Sequence, residues 1–150
     1  MSQLTWDFKK FEELSADALY KILKLRSEIF VVEQNCVYLD MDDKDQQSFH
    51  LCGWIDEKLL AYARILPPGI AFTEPSIGRV STHPSFRKNG AGKLLMRQAI
   101  EKTYAQFLSN SIKIGAQLYL QAFYANLGFT QTSEPYLEDG IPHIEMLHSK

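Results

Sequence analysis

The sequence predicts a mixed α/β fold in a single domain of residues 1–150, with a mixed sheet carrying helices on its faces. Three observations point there: two long stretches with helical apolar spacing, short apolar runs before, between and after them, and hairpin signals at both ends. A chain of 150 residues has room for one domain that buries about two-thirds of its unfolded surface. Hydrophobic residues at 45% and charged residues at 23% exclude a disordered chain, a collagen-like repeat and a coiled coil.

Residues 4–8 alternate weakly and suit an edge strand. Ser15 is placed as an N-cap with Leu14 stapling onto Leu19, and Ala18, Leu19, Ile22, Leu23, Ile29 and Phe30 keep helical spacing to about Glu33. Residues 35–47 have no apolar period and hold four aspartates, so an exposed connection is expected. Apolar runs at 49–55 and 59–66, parted by Asp56-Glu57-Lys58, predict a β-hairpin, and Pro67-Pro68-Gly69 ends its second strand.

Residues 77–82 form a β-branched run, 84–92 a turn-rich link and 91–108 a second helix with Leu94, Leu95, Ala99, Thr103 and Phe107 inward. Another strand follows at 112–116, then a short helix at 118–127 closed by Gly128. Asp139-Gly140 is the strongest hairpin signal, joining a strand that ends near Tyr136 or Leu137 to residues 143–147.

Sixteen basic against eighteen acidic side chains give a formal charge of −2, so nothing global recruits nucleic acid or an anionic membrane. Two cysteines, Cys36 and Cys52, are too few for a disulfide scaffold and have no zinc spacing. The first residues lack a basic stretch leading into an apolar core, and a cytoplasmic protein is expected. Edge strands at both ends leave a homodimer open.

Chemistry concentrates at Arg87-Lys88-Asn89-Gly90-Ala91-Gly92-Lys93, where a strand gives way to a helix. Gly90 and Gly92 let backbone approach a ligand, and the unpaired first-turn N–H groups of the following helix suit a pyrophosphate. From Arg79 to Lys113 seven basic residues face one acid, Glu101, which adds positive potential. A dinucleotide fingerprint fails because Leu95 stands where its third glycine belongs, and a P-loop fails at Arg87 and Leu94.

Together with Phe123-Tyr124-Ala125-Asn126-Leu127-Gly128-Phe129, this segment resembles the GNAT superfamily of N-acetyltransferases. Arg87 to Gly92 fit its R/Q-x-x-G-x-G/A loop, and Tyr124 before Gly128-Phe129 fits its later helix. Residues 25–34, 61–64, 77–80 and 138–143 are similar to the ElaA-like branch.

The resemblance implies a splayed sheet that admits acyl-CoA between the strands at 77–82 and 112–116. It implies acetyl transfer from acetyl-CoA to a primary amine by direct attack. Backbone groups of Val80, Ser81 and Thr82 would meet the pantetheine arm, and the loop from Arg87 to Lys93 would hold the phosphates. Tyr124 would be the general acid, and Gln117 stands where many relatives have a cofactor-contacting asparagine. The glutamate that many relatives use as base has no match, since Ser76 is near that position; Glu33 and His50 are the next candidates, each with a structural alternative as an arginine-paired carboxylate or a half-buried strand residue. No histidine pair has metal spacing, and no metal is expected.

Asp40-Met41-Asp42-Asp43-Lys44-Asp45 fails as a calcium loop, because Asp45 stands where glycine is needed and Leu51 where the closing glutamate belongs. It reads as a solvated loop or as free carboxylates beside an amine cleft. Two rival functions stay open: acyl transfer from another donor, as in acyl-homoserine-lactone synthases, and a non-catalytic acyl-CoA sensor.

Overall fold

The central sheet divides into two four-stranded halves. In the computed structural model, which describes residues 4–87 and 90–150, β1 (Thr5–Lys10), β2 (Phe49–Ile55), β3 (Lys58–Leu66) and β4 (Ser76–Thr82) form the first half in that order. The second half is built on β8 (Ile141–Ser149), which pairs with β5 (Ser111–Gln117), β6 (Phe129–Gln131) and β7 (Tyr136–Glu138). Every ladder within each half is antiparallel. Three α-helices complete the described fold: α1 (Ala16–Arg26), α2 (Ala91–Gln106) and α3 (Gln121–Ala125).

Local chemistry explains most boundaries. Ser15 caps α1 as expected, its Oγ accepting from Ala18 N–H at 3.0 Å. The helix then widens into a π-helical turn, Ser27–Glu33, with Gln34 N–H donating to the Ile29 carbonyl five residues back at 3.1 Å. The sequence predicts one regular helix to about Glu33; β-branched Ile29, Val31 and Val32 lower the α preference of this last stretch. At the chain's other end Asp139 (φ 51°) and Gly140 (φ 76°) form the two-residue turn of the β7–β8 hairpin, since both left-handed positions match the strands' twist.

The two long helices cover opposite faces of the first half-sheet. Successive residues of a strand point to opposite sides, so Cys52 and Tyr62 pack on Ile22, Leu25 and Ile29, while Leu51, Ala63 and Ile65 pack on the other face. There Leu95, Met96 and Ala99 of α2 also meet Ile112, Ile114, Ile144 and Met146 of the second half. One helix thereby ties both halves together. Leu94, expected inward, is exposed; Met96 takes its place in the core, because the buried stripe runs through 91, 95, 96, 99 and 103. The short helix expected over 118–127 is a 3₁₀ turn, Leu118–Leu120, followed by α3, and β6 is a strand the sequence does not announce.

The halves meet only partly. Lys113 N–H donates to the Pro75 carbonyl at 3.0 Å, at the starts of β5 and β4, and among the described residues no ladder joins these strands beyond it. β4 also carries a bulge: Tyr62 opposes Ser81 while Arg64 opposes Gly78, so Arg79 and Val80 share the place opposite Ala63. Arg79 adopts φ 48° there, a left-handed conformation seldom taken by a long side chain.

Candidate active site

Where β4 and β5 part, a cavity of about 410 Å³ opens. Val80, Ser81 and Thr82 of β4 line one wall, Ile114, Gly115 and Gln117 of β5 the other, with Tyr124 of α3 between and the π-helical turn across the mouth. The bulge interrupts the regular pairing of β4 with β3 at Arg79 and Val80, and both residues line the cavity. Ser81 Oγ donates to the Arg79 carbonyl at 2.8 Å and steadies that turn.

Tyr124 is almost fully buried, its ring packed edge-on against Phe123 and Phe129. Burial, with a smaller contribution from Tyr119, pushes its phenol up to about 12. The group therefore keeps its proton at neutral pH and is available as a proton donor.

α2 begins on Gly90, whose left-handed φ of 75° favours glycine. The first intrahelical bond is Leu94 N–H to the Gly90 carbonyl at 3.0 Å, which leaves the amides of Ala91, Gly92 and Lys93 without helical partners. No described side chain caps them and no acid stands in the first turn. A methyl group added at Gly92 would rest 3.5 Å from the Phe123 ring, so a larger side chain would push on α3. Thr82 and Arg87 connect this helix start to the cavity; Gly90, Ala91, Gly92 and Lys93 lie just outside the lining. Lys88 and Asn89 lie outside the described residues.

A family model described as an acetyltransferase (GNAT) domain matches residues 14–149. The chain belongs to the GNAT family. A UPF0039 protein of Synechocystis is 42% identical over 97% of this chain and 95% of its own. Among solved structures, an acyl-CoA N-acyltransferase of Pseudomonas aeruginosa superposes with a TM-score of 0.93 at 40% identity, covering 98% of this chain and 100% of that one. Escherichia coli ElaA superposes with a TM-score of 0.91 at 38% identity, with the same coverage. Within the GNAT superfamily the chain therefore falls in the ElaA/UPF0039-like branch.

On this GNAT scaffold the predicted site residues divide cleanly. Val80, Ser81, Thr82, Arg87, Gln117 and Tyr124 share the cavity, together with Glu33. Gln117 is already engaged, its side-chain amide exchanging two 3.3 Å hydrogen bonds with Gln34 at the end of the π-helical turn. Glu33 Oε2 meets Arg87 Nη1 at 2.7 Å, as the arginine-paired alternative anticipates. His50 does not reach the site: it is fully buried rather than half-buried, with Nδ1 on the Tyr62 hydroxyl (2.7 Å) and Nε2 on the Asp45 carbonyl (3.0 Å).

Three of the four aspartates in the loop are neither solvated nor free. Asp40 and Asp45 are buried and, with Asp42, bind three arginines. Arg26 bonds Asp40 and Asp45, each at 2.8 Å; Arg64 forks onto Asp42 at 2.7 and 2.8 Å and reaches Asp45 at 2.8 Å; Arg79 bonds Asp40 at 2.9 Å. Burial alone would raise the Asp42 and Asp45 carboxyls, but the arginine hydrogen bonds outweigh it and hold both below the ordinary carboxylate range. Three cations against three anions leave the cluster balanced. Its role is to fix the loop and, through Arg79, the bulge of β4.

Arg79 and Gln34 are the cavity residues that sequence reasoning gives no role. Arg79 carries one usable signal, the Gly78 before it in a strand interior, which favours a bulge. Gln34 carries none.

Proposed function

We propose that the chain is an acetyl-CoA-dependent N-acetyltransferase that moves an acetyl group to a primary amine by direct attack on the thioester. The observation that carries this is one cavity that brings together the bulged strand β4, a protonated Tyr124 and Arg87, three residues before the uncapped start of α2.

The residues suit such a donor. Unpaired amides of Ala91, Gly92 and Lys93, with the positive end of α2 behind them, hold a diphosphate, assisted by Arg87 and by Lys88 and Asn89 of the same loop. Val80, Ser81 and Thr82 offer backbone groups to the pantetheine amides, and an N–H of the bulge polarises the thioester carbonyl. Gln117 turns toward the arm once released from Gln34. As the C–S bond breaks, Tyr124 donates its proton to the sulfur and recovers one from the nitrogen that has attacked.

Direct attack fits the cysteines better than a covalent relay. Cys52 is buried on the α1 face with its thiol pushed up by burial, and Cys36 has only the Asp139 carbonyl as a partner, at 3.4 Å. For the proton that an ammonium acceptor sheds before it attacks, Glu33 lies in the cavity whereas His50 does not.

A thiol-release assay with acetyl-CoA against a panel of amines, with calorimetric CoA binding beside it, tests the proposal. Turnover that falls with Tyr124→Phe while CoA binding persists is the expected result. CoA binding without thiol release for any amine, unchanged by that substitution, marks a sensor instead.

A further inference from the structure

The exposed apolar side chains of this chain are not scattered. Ten large hydrophobic residues are exposed among the described residues; three of them line the cavity and two more belong to the 36–41 loop that borders it. Tyr38, Leu39 and Tyr119 belong to the lining itself. Val37 and Met41 belong to the same 36–41 loop, four of whose residues line the cavity, and Val37 and Leu39 are 89% and 76% exposed. Exposed apolar surface concentrated on one site marks a contact surface, whereas singly placed apolar residues do not.

The same mouth carries unneutralised acid. Of the carboxylates in the lining, Asp40 is bound by Arg26 and Arg79 and Glu33 by Arg87. The remaining two, Glu138 and Asp139, sit on the β7–β8 turn; Glu138 is 3.5 Å from His143, a contact ionic only when the imidazole is protonated, and Asp139 has no ion pair among the described residues. Cys36 Sγ donates to the Asp139 carbonyl and so keeps the apolar loop against this acidic turn.

We infer that the acceptor is a primary amine carried on an apolar alkyl or aryl body: the rim of Val37, Tyr38, Leu39 and Tyr119 covers the body, and Glu138 and Asp139 draw the ammonium toward the cleft. The inference rests on the acetyltransferase reading and narrows it to a substrate class. Amines that are polar along their whole length, such as polyamines and aminoglycosides, would leave the rim in water and gain nothing from it.

The experiment is a homologous series of methylamine, butylamine, hexylamine and phenethylamine at fixed acetyl-CoA, with spermidine and kanamycin beside it, read as kcat/KM by thiol release. Transfer of each methylene from water raises kcat/KM by about fourfold until the rim is filled. Leu39→Ser combined with Tyr38→Ser flattens the rise, with CoA affinity unchanged by calorimetry. A flat series, a preference for spermidine or kanamycin, or a rise that survives the double substitution overturns the inference. So does an enzyme that binds CoA and acetylates none of the series, which leaves the donor site standing. Failure to bind CoA at all refutes the acetyltransferase reading itself. A dimer in sedimentation that the double substitution dissociates, together with a flat series, assigns the rim to contact between two copies of the chain.

Discussion

Glu33 Oε2 and Arg87 Nη1 close a 2.7 Å ion pair across the mouth of the cleft, and the same guanidinium donates through Nε to the Thr82 carbonyl at 3.2 Å. Arg87 is therefore already engaged by two groups. On the proposed acetyltransferase reading a diphosphate has to win the arginine from Glu33, and an exposed pair of this kind resists only weakly.

Glu33→Gln should accordingly tighten CoA binding, by about two- to fivefold for an exposed ion pair. Arg87→Gln should loosen it. Isothermal titration of both variants with CoA checks the pair, and equal affinity in Glu33→Gln and the parent would remove any competition between the carboxylate and the donor.

Tyr124→Phe should lower kcat by about 10²- to 10⁴-fold, the usual worth of a positioned general acid, and leave CoA affinity intact. Because burial holds this phenol near 12, its ionisation should not limit the rate on the alkaline side below about pH 11. A rate profile in which an alkaline limb at lower pH disappears with Tyr124→Phe would contradict that placement.

The buried arginine–aspartate cluster predicts a stability effect separate from catalysis. Arg26→Met strands Asp40 and Asp45 without one of their cations, and should cost about 3–5 kcal/mol in urea unfolding, as expected for breaking a buried pair from one side. A loss no larger than that of a surface substitution would show that the cluster is solvated in solution.

Burial lowers the His50 imidazole below its ordinary value, so the folded chain binds this proton less readily than the unfolded one. Its contribution to stability is complete above about pH 6.5 and is lost as pH falls below that, by up to about 1.4 kcal/mol per pH unit. His148, also lowered by burial, acts in the same direction. Thermal unfolding between pH 7 and 5 should therefore steepen less in His50→Gln than in the parent, and identical slopes would mean that His50 is protonated in the fold. Asp42 and Asp45 add a second loss only at more acid pH, since their depressed values keep them charged down to the ordinary carboxylate range and below.

What the sequence made legible was governed by near neighbours. Ser15 three residues before Ala18, Asp139 beside Gly140, and the glycines at the start of α2 each follow a local rule, and each stands as expected. The arginine cluster obeys no such rule: Arg26 finds Asp40 and Asp45 at 14 and 19 residues' separation, and Arg79 finds Asp40 at 39. Four aspartates in one loop look solvated until α1 and the sheet bring three arginines to three of them. Leu94 was misplaced for a different reason, since a single apolar residue beside a buried stripe shares its composition but not its angle. The bulge at Arg79 escaped because a left-handed arginine leaves almost no mark in the residue pattern.

A crystal structure of the chain with acetyl-CoA bound tests the central claim most directly. The diphosphate should lie on the amides of Ala91, Gly92 and Lys93, the pantetheine arm along Val80 to Thr82 in the gap beside β5, and the sulfur within hydrogen-bonding reach of the Tyr124 hydroxyl. A nucleotide seated elsewhere, with the start of α2 in contact only with solvent, would contradict it.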